Sequence, residues 1–158
     1  AYLNNNYGIY LMRYKEEDPT AYFSSIPYSA GTTETPYIYA QVNLALYNAR
    51  INPRYALKTI NAVEHHVKTT TVPRTKQFYN INRALIEFVN GSFPETQLQE
   101  ILSKPLRGNE TYAQNLYSRY SDLRDNIPSL DATEYKELSL PGYLFYRYFK
   151  AEKLLADL

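Results

Sequence analysis

Asn52-Pro53-Arg54-Tyr55-Ala56-Leu57-Lys58-Thr59-Ile60 is the stretch on which the reading of the fold turns. It has an echo upstream in Asp18-Pro19-Thr20-Ala21-Tyr22-Phe23-Ser24-Ser25-Ile26, and another downstream in Phe93-Pro94-Glu95-Thr96-Gln97-Leu98-Gln99-Glu100-Ile101. All three read Pro-x-x-x-[Phe/Leu]-x-x-Ile. Nine and eight residues before each Pro stands a mainly apolar pair: Tyr10-Leu11, Leu44-Ala45 and Leu85-Ile86. Proline suits the first helical position, where no N–H is needed; Asp18 before Pro19 is a good N-cap, and Asn52-Pro53 suits a turn between helices. The pattern predicts an all-α chain in which one helical hairpin is used at least three times.

Working outward, Leu3, Tyr7, Tyr10, Leu11 and Tyr14 recur at three- and four-residue steps and predict a helix over 2–17. A short second helix after Pro19 ends at Pro27. The helix opened by Thr35-Pro36 is apolar on two sides, through Tyr39, Val42, Leu46 and Ala49 and through Leu44, Tyr47 and Ile51. A helix of that kind is packed between neighbours. Its partner after Pro53 buries Ala56, Ile60, Val63 and Val67, and Lys68 to Thr75 reads as a linker. Phe78, Ile81, Leu85 and Phe88, backed by Ala84, mark the clearest helix of the chain, stopped by Asn90-Gly91. Ser92-Phe93-Pro94-Glu95 has capping-box spacing and starts a helix through Leu98, Ile101 and Leu102. Tyr112, Leu116, Tyr120 and Leu123 make a fourth inner-type helix, followed by an irregular stretch from Ile127 to Glu134. Pro141 opens a last helix through Leu144, Phe145, Tyr148, Phe149, Ala151 and Leu155, expected to cover the open end of the stack. The hairpins fall at 2–27, 36–68, 75–104 and 110–158 of a single domain covering 1–158.

Composition narrows the function. A formal net charge of +1 is no electrostatic footprint for nucleic acid. Cysteine is absent, which removes disulfides and thiolate metal sites and fits either the cytoplasm or an envelope that avoids thiols. No apolar run approaches the ~20 residues of a membrane helix. The first residue is Ala1 and the one methionine is Met12, so the chain is expected to be a processed or trimmed product of a longer protein, whose anchor would lie outside it. Tyrosine is the outlier, at 18 copies against 6 Phe and no Trp. Its ring packs as an apolar body while the hydroxyl reaches water or a partner. No glycine-rich phosphate loop, His-Glu-x-x-His motif or nucleophile elbow occurs. His65 and His66 point about 100° apart on a helix and do not make a metal pair. Glu16, Glu17 and Asp18 read as a solvated helix end. No cofactor, metal or catalytic residue is expected.

The first two prolines of the pattern are 34 residues apart and the next two 41, and the shorter spacing is the tetratricopeptide period. Residues 37–68 resemble that family best. Tyr47 stands at the large residue near the end of the first helix, Ala56 at the small residue where the second crosses it, and Ile60 and Val63 at the apolar positions that follow. Ala40 replaces the family's Trp, and Tyr22 and Gln97 stand at the crossing position of the other two hairpins. The resemblance implies a superhelix of stacked hairpins whose first helices line a concave groove for a protein or peptide. The groove positions it implies are Tyr7, Leu11 and Tyr14, then Gln41, Ala45 and Asn48, then Asn82, Ile86 and Val89. Tyr7, Tyr14, Gln41, Asn48 and Asn82 are the polar and stacking members that would hold the ligand. The alternative is a domain binding a small molecule or glycan through Tyr and Asn side chains, which an enclosed pocket would favour over an open groove.

Overall fold

The computed structural model describes residues 2–11, 18–26, 34–104, 110–126 and 140–158. Among these the regular elements are all helical and no strand occurs. In chain order they are α1 (Tyr2–Tyr10), α2 (Thr20–Ser24), α3 (Glu34–Ala49), α4 (Pro53–Asn61), α5 (Glu64–Thr69), α6 (Pro73–Val89), α7 (Glu95–Ser103), α8 (Glu110–Asn126) and α9 (Leu140–Ala156). None is long and apolar enough to cross a membrane. Tyr14, Pro27 and the irregular stretch after Ile127 lie outside the described residues.

The two-sided apolar pattern of α3 explains its place at the centre. Ile38, Ala40, Val42, Leu44, Ala45, Leu46 and Ala49 are all buried, and the helix packs on α1, α2, α4, α5, α6 and α9. Neighbours in sequence also pair, α1 on α2, α3 on α4, α6 on α7 and α8 on α9, while α2, α4 and α7 each reach the long helix that follows.

The three proline stretches all open the second helix of such a pair, with one shift of frame. Pro19 and Pro94 occupy the N-cap, whereas Pro53 is one place inside, with Asn52 as N-cap. The first helical hydrogen bonds run Phe23 N–H to Pro19 O, Ala56 N–H to Asn52 O and Leu98 N–H to Pro94 O. Counted from the cap, Phe23, Ala56 and Leu98 are therefore equivalent, and each is fully buried. Ile60 and Leu102 follow four residues later, also buried. The buried position one turn into each of these helices thus holds Phe23 and Leu98, where counting from the prolines pointed to Tyr22 and Gln97. A shared proline signals a helix start but fixes its register only to within one residue.

Other boundaries also move. The expected helix over 53–68 divides into α4 and α5 at Ala62–Val63, where Val63 N–H bonds to Ile60 O, one residue short of the α-helical partner. The tightened turn keeps Ala56, Ile60, Val63 and Val67 on one buried side. The linker shrinks to Thr70–Val72, because Pro73 takes the first position of α6. Gly91, at φ 83°, closes α6 as expected: Ser92 N–H reaches Glu87 O and Gly91 N–H reaches Phe88 O, the paired bonds of a Schellman end. The capping box does not form. Ser92 donates its hydroxyl back to Glu87 O, and Glu95 accepts instead from Tyr120 and Arg124 of α8.

The last helix does more than close an end. It packs on α8 and also on α3 and α6, lying across three of the long helices. Phe145 and Phe149 meet the Tyr120 ring at 5.3 and 5.5 Å, and Tyr148 meets Phe88 at 4.4 Å. Tyr143 lies under the Arg50 guanidinium at 4.4 Å, which also faces Tyr47 at 5.2 Å. Leu144, Phe145 and Phe149 are buried by these contacts, while Ala151 and Leu155 are exposed.

Candidate functional site

The α9 helix begins beside a cavity of about 460 Å³ that it leaves open between the long helices. One wall is a single face of α8. Tyr112, Asn115, Leu116 and Arg119 stand at three- and four-residue steps, so their side chains stack along one side. At 1.5 Å per residue the wall runs about 10 Å from Tyr112 to Arg119. The rest of the described lining comes from Asn43 and Leu46 of α3, Phe78 of α6, Ile9 of α1 and Leu140-Pro141 of α9.

Packed rings fix the base. Phe78 lies between Tyr39 at 4.3 Å and Tyr112 at 5.3 Å. The Tyr112 hydroxyl donates to Asn82 Oδ1 at 3.0 Å, and Asn82 Nδ2 donates to Phe78 O at 2.8 Å. This chain of bonds holds the two rings that floor the cavity. Burial pushes the Tyr112 phenol well above its ordinary value, against the opposing effect of the bond to Asn82. Asn43 is buried in the wall, whereas Asn115 and Arg119 are exposed at its rim. Among the described residues of the lining, Arg119 is the one charged side chain and no carboxylate occurs.

A second, smaller cavity of about 210 Å³ separates the α3–α4 turn from α9. Arg50, Ile51 and Pro53 face Leu144, Arg147 and Tyr148 across it, with Val89 alongside.

None of the described residues expected to line a groove borders the larger cavity. Gln41 and Asn48 are half-buried on α3, each two residues from a lining residue and so about 200° around the helix. Asn82 is fully buried, and both ends of its amide are engaged inside the chain. Tyr7 is 44% exposed on α1, where it stacks on Tyr10 and meets the edge of Tyr22 at 4.8 Å. Leu11, Ala45 and Ile86 are buried, and Val89 faces the smaller cavity. Tyr14 belongs to the residues not described.

The sequence reading passed over Asn43, Asn115 and Arg119. Their signal was there in part, since Asn115 and Arg119 interrupt the apolar face of Tyr112 and Leu116 with polar groups in register. Nothing in the sequence alone marked which side of α3 would line the cavity with α8. Among the described residues, no three His, Asp or Glu groups gather as a metal site. The two histidines keep to α5, with the His66 ring edge-on to Tyr37 at 5.4 Å. The arrangement offers stacking area, apolar contact, two amides and a guanidinium. Comparison with protein-family models, with curated proteins and with solved structures gave no match.

Proposed function

We propose that this chain is a non-enzymatic binding module that takes a small, mostly apolar organic molecule into the cavity between α1, α3, α6, α8 and the start of α9. The observation that carries this reading is the cavity itself. Its volume of about 460 Å³ falls within the roughly 300–1,000 Å³ of small-molecule sites, which are apolar and aromatic with a few placed polar groups. Phe78 and Tyr112 supply ring faces, Leu46, Leu116 and Leu140 the aliphatic wall, and Asn43, Asn115 and Arg119 the polar points. The frame of the module is read as tetratricopeptide-like hairpins, supported by the equivalence of Phe23, Ala56 and Leu98 counted from their caps.

A protein or peptide ligand on the first helices is the second reading. The packing of α9 against α3, α6 and α8 favours it, because it makes those helices a surface suited to an aromatic-rich helix. The same helix occupies much of that surface, which is why the small-molecule reading stands first.

A fragment set of neutral aromatic and aliphatic molecules, screened by ligand-observed NMR, tests the choice. Asn115→Trp places a bulky ring at the exposed rim without touching the core. Hits on the natural chain that vanish in this variant are expected. Hits indifferent to it, or no hits beside peptides whose capture depends on Gln41 and Asn48, would reverse the order of the two readings.

A further inference from the structure

Resting on the cavity as the ligand seat, we infer that its ligand is a monocarboxylate, with the acid group paired to Arg119 and an aromatic or aliphatic body reaching toward Phe78 and Tyr112. Among the described residues, three other guanidiniums beside packed helices have partners within the chain. Arg83 bonds Glu64 and Glu87, Arg124 bonds Glu95, and Arg50 lies against two rings. Arg119 lines the cavity and takes part in no ion pair among those residues, although Asp122 stands one turn further along α8. A guanidinium offers a planar fork of donors matched to the two oxygens of a carboxylate. Asn115, four residues earlier on the same face, adds an amide that donates to whichever oxygen the fork leaves.

Charge count and length select the class. Among the described lining residues, one cation and no carboxylate balance one negative charge, which suits a carboxylate and leaves a doubly charged phosphate half compensated. The reach of about 10 Å along α8 from Arg119 to Tyr112 matches a ring joined to an acid by a few methylenes. Beyond that reach the cavity is floored by rings, so a second charge at the far end would meet no partner among the described residues.

The test uses a matched pair of probes, 4-phenylbutyrate and 4-phenylbutan-1-ol, titrated calorimetrically at low salt into the natural chain, Arg119→Gln, Arg119→Lys and Asn115→Trp. The acid is expected to bind the natural chain about five- to tenfold more tightly than the alcohol, a modest factor because the guanidinium is solvent-exposed. Arg119→Gln should erase that preference while leaving the alcohol within about twofold, and Arg119→Lys should keep part of it, having charge without the fork. Equal binding of acid and alcohol, both lost in Asn115→Trp, would overturn the carboxylate while sparing the cavity as ligand seat. Binding of neither probe, or binding untouched by Asn115→Trp, would remove the seat and the carboxylate together. A large fall in melting temperature for Arg119→Gln without ligand would assign the guanidinium to an acid of its own chain and end the inference.

Discussion

Tyr120 shows how a single side chain joins elements here. Its ring is buried between Phe145 and Phe149, while its hydroxyl donates to Glu95 and accepts from Gln99 Nε2 at 2.8 Å. Desolvation, then the bond to Glu95, raises its phenol from 10.0 to about 12. A phenol whose folded value lies above its unfolded one keeps its proton longer in the native state, so the native state binds more protons between the two values. The stability it contributes is complete below pH 10 and falls as pH rises toward 12. Urea denaturation from pH 9 to 12 should show this decline, and Tyr120→Phe should flatten part of it. An unchanged slope in the variant would place the titration elsewhere. Asn52 is a second residue-scale case, its side chain accepting from Arg54 N–H at 3.1 Å and Tyr55 N–H at 3.2 Å. Asn52→Ala should cost about 1 kcal/mol of stability and Asn52→Asp much less, read from denaturation midpoints. The turn at Asn52-Pro53 was legible in the sequence, because turn chemistry is local; that Asn52 itself caps α4 came from the structure. The Tyr120 bond to Glu95 was not: it joins residues 25 apart, and the capping-box pattern pointed Glu95 elsewhere.

At the scale of elements, helix identity was legible wherever apolar residues kept a three- and four-residue rhythm, as in α6 and α8. Register was less so, since a proline marks a helix start without fixing which residue is the cap. Phe23, Ala56 and Leu98 share one structural position and differ greatly in size. That difference predicts opposite sensitivities. Leu98→Ala should cost about 2–5 kcal/mol through the cavity it leaves, whereas Ala56→Leu should cost about 1–3 kcal/mol by forcing α4 away from α3. Denaturation of the two variants checks both, and a tolerated Ala56→Leu would show that α4 is free to shift. The α1–α2 contact has a similar limit at Gly8, where an added Cβ would lie 2.7 Å from the Phe23 ring. The division of α4 from α5 had no sequence signal, as neither Gly nor Pro stands near Ala62–Val63.

Across the whole molecule, the path of α9 was the least legible feature. Its helical rhythm was plain, but the choice of α3, α6 and α8 as partners depends on ring contacts between residues far apart in sequence. Gln41 and Asn48 were placed by analogy of position, and the side of α3 that faces Phe78 and α9 carries Tyr39, Asn43, Leu46 and Arg50. If α9 is part of the common core, Phe145→Ala should cost about 3–5 kcal/mol and lower the midpoint of one transition for the whole chain. A separate, earlier transition would make α9 an appendage. The most direct measurement of the central claim is an assigned amide NMR titration of the natural chain with 4-phenylbutan-1-ol. Shifts are predicted around Asn43, Leu46, Phe78, Leu140 and Tyr112 through Arg119. Shifts centred on Tyr7, Gln41 and Asn48, or no shifts at saturating probe, would contradict it.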